Sequence, residues 1–149
     1  MEGSQKIPAK YTCDGGNISL PLVWSAVPPA TKEIVLILFN VKLINPYPGQ
    51  STVEARLTDE WGVAGLKPTQ RELPAGQLPP GVTLGRWPEG QRKYSVCPPR
   101  GKAQNYVFLL YALGSKLSLQ PDFTDATLLE QARRSELARG ELVTSYQRT

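Results

Sequence analysis

A chain of 149 residues, 40% hydrophobic and 20% charged, is long enough for one domain with a buried core, and its formal net charge is only +4. It has no histidine and only two cysteines, Cys13 and Cys97. This removes Ser-His-Asp and Cys-His nucleophiles, histidine acid–base chemistry, thiolate metal cages and nearly every common zinc site. We therefore expect a binding or scaffold module and not an enzyme, with no catalytic residues, no metal and no cofactor. The basic residues are scattered, and the densest pair, Arg133 and Arg134, lies beside Glu130 and Glu136. A nucleic-acid partner needs a clustered basic stripe, so none is expected. The longest apolar runs, residues 34–39 and 107–113, are strand-sized, and the first six residues form no apolar signal segment. The chain as given reads as soluble, with no membrane span and a cytoplasmic location favoured.

Fourteen prolines and thirteen glycines are spread between apolar runs, the pattern of a loop-rich β fold. Residues 7–17 are polar and turn-prone. Leu22-Val23-Trp24 makes a short strand, closed by Val27-Pro28-Pro29-Ala30. Residues 34–39 are uninterruptedly β-branched and aliphatic up to Phe39, as in a strand buried on both faces. Asn45-Pro46-Tyr47-Pro48-Gly49 is a turn, and residues 51–57 alternate Val53, Ala55 and Leu57 with Thr52, Glu54 and Arg56, as a half-exposed strand does. Residues 68–90 read as an extended loop packing through Leu73, Leu78, Val82, Leu84 and Trp87.

Residues 106–113 form a second strand apolar on both faces. A helix over 125–134 is capped by Thr124 or Asp125 and carries the stripe Leu128, Leu129, Ala132. Residues 137–146 close the chain as a strand, and no repeat or boundary divides 1–149 into more than one domain. Trp24, Trp61 and Trp87 are core anchors by type. Asp14, in the turn Cys13-Asp14-Gly15-Gly16, is expected to bond nearby backbone amides, and Asp59 and Glu60, adjacent on a strand, to point to opposite faces.

Three groups of segments then fall in a telling order. The first is Ile7-Pro8-Ala9-Lys10-Tyr11-Thr12-Cys13-Asp14-Gly15-Gly16-Asn17-Ile18-Ser19 with Pro21-Leu22-Val23-Trp24-Ser25 and Val27-Pro28. The second is Cys97-Pro98-Pro99-Arg100-Gly101 with Tyr106-Val107-Phe108-Leu109-Leu110-Tyr111-Ala112-Leu113, and the third is Glu141-Leu142-Val143-Thr144-Ser145-Tyr146-Gln147-Arg148. Together they resemble the phosphatidylethanolamine-binding protein family, in particular its bacterial and archaeal Raf-kinase-inhibitor-like branch. The match covers most of the chain and is weakest over 41–90. The resemblance implies a mainly β fold, a β-sandwich of antiparallel sheets with one or two peripheral helices. It also implies a small surface pocket for anions such as phosphate or phospholipid head groups, in proteins that bind phospholipids or inhibit kinases or proteases.

The resemblance also assigns positions to that pocket. Asn40 falls where the family has the first Asp of Asp-Pro-Asp-Ala-Pro, and Glu60-Trp61 where it has His-Trp. Ser95-Val96 replaces Gly-Pro ahead of Cys97-Pro98, and Gln104 replaces a histidine. The pocket tyrosine falls on Lys93 or, with a slip of one residue, on Tyr94, and a further histidine position holds Ser135. Imidazoles donate to a bound phosphate, whereas a carboxylate at Glu60 repels one. The expectation is thus a non-catalytic ligand-binding or regulatory module with a remodelled anion pocket. The alternatives are head-group binding through Lys93, Tyr94, Gln104 and Asn40, or a scaffold that binds a protein partner through the 68–90 loop. Cys13 and Cys97 flank this pocket by resemblance, either as a disulfide or as reduced, buried thiols. The family strand that precedes Ile-Pro has no room in the six residues before Ile7, so either it is absent or it lies upstream of the given start; its loss would open a sheet edge, which is the basis for a homodimer hypothesis.

Overall fold

The computed structural model describes residues 5–41, 56–85, 94–101, 103–119 and 123–148. In chain order its elements are β1 (Gln5–Lys6), a 3₁₀ turn (Ala9–Tyr11), β2 (Leu22–Val23), β3 (Glu33–Val41), β4 (Arg56–Leu66), β5 (Glu72–Leu73), β6 (Thr83–Leu84), β7 (Ala103–Leu113), α1 (Asp125–Arg134) and β8 (Glu136–Gln147). Six strands form one sheet in the order β1-β8-β7-β3-β4-β6, and β2 and β5 pair separately. All neighbours are antiparallel except β1, which runs parallel to β8 at Gln5–Thr144 and Lys6–Ser145.

β3 is the axis because its sequence leaves it no exposed face. Ile34 to Phe39 are each at most 1% exposed, which requires cover on both sides of the sheet. On one side Val35, Ile37 and Phe39, with Val107, Leu109, Tyr111 and Leu113 of β7, meet Leu128, Leu129 and Ala132 of α1. The helix starts where Thr124 accepts the Thr127 N–H on its side-chain oxygen at 3.2 Å. On the other side Ile34, Leu36 and Leu38 join Trp61 and Val63 of β4 and Tyr106 and Phe108 of β7. That face is covered mostly by irregular chain: Ile7, Tyr11, Leu73, Tyr94 and Val96 are all buried against it.

Glu33 locks the start of β3. Although buried, its carboxylate accepts the Gly65 N–H at 2.8 Å on one oxygen and the Leu117 N–H at 2.9 Å on the other. Gly65 stands at φ +84, a conformation that glycine supplies without strain.

The strands at 34–39 and 106–113 and the helix at 125–134 lie where the pattern places them, each strand running a little further than its apolar core. The 68–90 stretch is not loop throughout, because it carries β5 and β6, two-residue edge strands too short to leave a period-two signal. β4 begins only at Arg56, so most of the alternation at 51–57 lies outside the described residues, as do the turn at 45–49 and Trp87. No helix among the described residues is long and apolar enough to cross a membrane.

Candidate functional site

Period two carries the second face beyond its apolar rows to a polar margin. Asn40 follows Leu38 on β3 and sits opposite Tyr106, and Gln104 precedes Tyr106 on β7. The Asn40 Nδ2 amide donates to Gln104 Oε1 and ties the two strands. Asn40 Oδ1 is buried with no hydrogen-bond partner among the described residues. An acceptor left this way costs about 1–3 kcal/mol, so the site is poised for a donor. Alongside, β4 pairs Trp61 with Leu38 but Asp59 with Phe39, which leaves Glu60 as the extra residue of a bulge. The opposite-face expectation for Asp59 and Glu60 concerns side chains that lie outside what is described, since only the backbone of these two residues is. Lys93 lies outside the described residues.

The wall of the site is the segment 94–101. Tyr94 is buried, donates its hydroxyl to the Tyr11 carbonyl at 2.8 Å, and meets the Trp61 ring edge-on at 5.4 Å and the Phe108 ring stacked at 6.5 Å. Burial pushes its phenol far up, so it remains a neutral donor. Asn17, in the left-handed region at φ 53, fastens the next two residues: its amide donates to Ser95 Oγ at 3.3 Å and its carbonyl oxygen accepts the Val96 N–H at 3.2 Å. The Cys13 N–H donates to the Val96 carbonyl at 3.1 Å. Cys13 and Cys97 are joined as a disulfide that closes 84 residues, with Cα atoms 5.3 Å apart. Pro98, next to it, is buried.

Asp14 does not serve its own turn as expected. The Thr12 hydroxyl takes that role by accepting the Asp14 N–H at 3.1 Å. The Asp14 carboxylate instead reaches the end of β8, accepting from the Tyr146 hydroxyl at 2.7 Å and from Arg148 Nε at 3.1 Å. The Tyr146 hydrogen bond, with Arg148 beside it, holds the Asp14 carboxyl below its ordinary range despite some desolvation. Tyr146 is the β8 partner of Gln104, so this cluster borders the Asn40–Gln104 pair. Arg148 Nη1 also lies 3.6 Å from Cys97 Sγ.

The structure thus brings Asn40 to Gln104, Trp61 to Tyr94, and Cys97 with Pro98 to the same wall, while Ser135 is remote from them as the cap residue after α1. Sequence reading missed Tyr146, Arg148 and Asn17 as members. The first had a signal: Leu142, Thr144 and Tyr146 alternate onto the face that carries Gln104. A cavity of about 440 Å³ opens beside Trp61 and Tyr94, bounded by Asn17, Ile18 and Ser19. A second, of about 410 Å³ and mainly apolar, runs past Leu22, Trp24, Phe108, Leu110 and Leu142 on the same side of the sheet. No group of three or more metal-ligating side chains occurs among the described residues.

Comparison with known proteins places this geometry. The sequence profile described as phosphatidylethanolamine-binding protein matches residues 1–147. A UPF0098 protein of Methanothermobacter thermautotrophicus is 32% identical over 149 residues, covering 96% of this chain and 91% of its own length. The crystal structure of a putative phosphatidylethanolamine-binding protein homologue from Chlamydia trachomatis superposes with a TM-score of 0.81 at 30% identity, over 100% of this chain and 94% of that one. E. coli YbcL, described as a member of the mammalian family, shares the fold with a TM-score of 0.78 at 24% identity, over 97% and 92% of the two chains.

Proposed function

Since the chain belongs to the phosphatidylethanolamine-binding protein family, a family of ligand-binding and regulatory proteins, we propose that it is a non-catalytic binding or regulatory module whose anion pocket has been remodelled. The observation that carries this reading is the Asn40–Gln104 amide pair with its orphaned acceptor. Where the resemblance leads one to expect an acid and an imidazole, two neutral amides bond each other, and the atom without a partner among the described residues, Asn40 Oδ1, is an acceptor. Such a margin favours a ligand that brings N–H or O–H donors, not a bare phosphate. Arg148 at the rim is already matched by Asp14.

Isothermal titration with inorganic phosphate and with phosphoethanolamine at pH 5 and pH 8 tests this. The expected outcome is no saturable phosphate binding at pH 8. Phosphate binding at both pH values would sink the remodelled-pocket reading and restore head-group binding as the function. The apolar cavity beside Leu110 and Leu142 gives that second reading its support, because a phospholipid has an acyl chain to bury as well as a head group. Retention on phosphatidylethanolamine vesicles without free phosphate binding would favour it.

A disulfide persists most readily in an oxidising compartment, so the Cys13–Cys97 bond weighs against the cytoplasmic location. β8 spans twelve residues and β1 pairs with two of them, which leaves the stretch ahead of Thr144 with no outer strand partner among the described residues. Pairing of two copies along that edge would make the homodimer, and a monomeric mass by light scattering at high concentration removes it. A protein partner taken up by the 68–90 segment stands or falls with a pull-down in which that segment is replaced.

A further inference from the structure

The two sulfurs of the disulfide sit in opposite electrostatic settings. Cys97 is exposed, and its Sγ lies 3.6 Å from Arg148 Nη1. The Arg148 side chain is only 17% exposed, so solvent screens its charge poorly. Arg100, which forms a bridge with Arg148 through the backbone, adds a second positive residue to the same corner. Cys13 is half-buried and is followed by Asp14, whose carboxylate is kept ionised by the Tyr146 hydroxyl and Arg148 Nε. Among the described residues the charged groups around the bond are therefore Arg148 and Arg100 on the Cys97 side and Asp14 on the Cys13 side, with the Tyr146 hydroxyl donating to Asp14.

We propose that Cys13–Cys97 is a thiol–disulfide exchange site for dithiol reductants, in which Cys97 is the leaving thiolate and Arg148 the group that stabilises it. The thiolate of the reductant attacks Cys13 Sγ. A new sulfur–sulfur bond forms there, the Cys13–Cys97 bond breaks, and its electron pair goes to Cys97 Sγ beside the guanidinium. The second thiolate of the reductant then attacks its own sulfur in the mixed disulfide and leaves as a cyclic disulfide. Cys13 departs as a thiolate and takes a proton from water. The dithiol supplies both electrons. A leaving thiol with a lowered pKa leaves faster, and a neighbouring guanidinium lowers it. This inference does not depend on what the pocket binds.

Two experiments on the oxidised full chain test it. The first traps the mixed disulfide with glutathione, alkylates the freed thiol with iodoacetamide and maps both labels by mass spectrometry. Glutathione on Cys13 and the alkyl group on Cys97 are expected, and the reverse distribution overturns the assignment. The second measures the rate of reduction by dithiothreitol in Arg148→Met and Asp14→Asn. Loss of the guanidinium is expected to slow reduction about three- to tenfold, and loss of the carboxylate to accelerate it. If the Asp14–Arg148 pair only held the loop in place, both variants would loosen the same contact and both would accelerate. Changes in the same direction, or none, overturn the proposal.

Discussion

The two faces of the main sheet are closed by different means. On the α1 face, a single amphipathic helix lays Leu128, Leu129 and Ala132 over odd-numbered residues of β3 and β7, and the core there is mostly apolar, with the Tyr111 hydroxyl inside it and the buried Glu33 carboxylate at its edge. On the other face no regular element longer than the three-residue 3₁₀ turn at Ala9–Tyr11 provides cover among the described residues. Segments near residues 7–17, 72–84 and 94–98 lie across the sheet, pinned by the Tyr94 hydroxyl, the Asn17 amide, the Cys13–Cys97 bond and the Asp14 cluster. A face covered by a helix gains its stability mainly from burial. A face covered by irregular chain needs point attachments, and those bring polar groups to its margin, which is where the candidate site lies.

The contrast can be broken from either side. Truncation of the helix anchor, Leu128→Ala, should cost about 2–5 kcal/mol, read as a fall in the urea midpoint. Loss of less than 1 kcal/mol would mean that α1 is not what closes its face. Next in size is Cys97→Ser, expected to cost about 2–4 kcal/mol in the oxidised protein. The same measurement with excess reductant should bring the wild type down to the variant. If the two still differ, the attachment acts through something besides the bond.

Glu33→Gln sharpens the comparison at the one charged residue buried on the axis. Glutamine has a single acceptor oxygen, so either the Gly65 or the Leu117 N–H loses its partner, at about 1–3 kcal/mol. A neutral result in denaturant melts would show that water replaces the lost acceptor. Smallest is Asp14→Asn, whose effect should depend on pH. The folded carboxyl is depressed below its unfolded value of about 3.9, so its contribution is present above that pH and is lost as pH falls through the lower folded value. Wild type and variant should therefore differ in urea midpoint at pH 7 and converge in acid. A constant difference down to pH 2 would mean that the carboxylate is not what stabilises the end of β8.

Much of the helix face was legible because it is a local code. The stripe at Leu128, Leu129 and Ala132 and the unbroken run at 34–39 each declare, within ten residues, what they must be packed against. The edge strands β1, β5 and β6 were not legible, because two residues cannot show a period. At the site, Asn40 and Gln104 could be nominated by position, but their bond to each other joins residues 64 apart in sequence and depends on the register of β3 against β7. Asp14 was misread for the same reason: its neighbours in sequence suggested a local turn, while its partners lie 132 and 134 residues away.

By itself the sequence determined the β class, the buried central strand and the single amphipathic helix, since burial on one face or on two is written in the spacing of apolar side chains. It also excluded imidazole chemistry by lacking the residue. Tertiary structure alone decided that Cys13 joins Cys97, that Arg148 serves both Asp14 and the Cys97 sulfur, and that the side-chain oxygen of Asn40 has no donor among the described residues. These are pairings between distant segments. They depend on how strands register and where irregular chain crosses the sheet, and no local pattern of hydrophobicity encodes that.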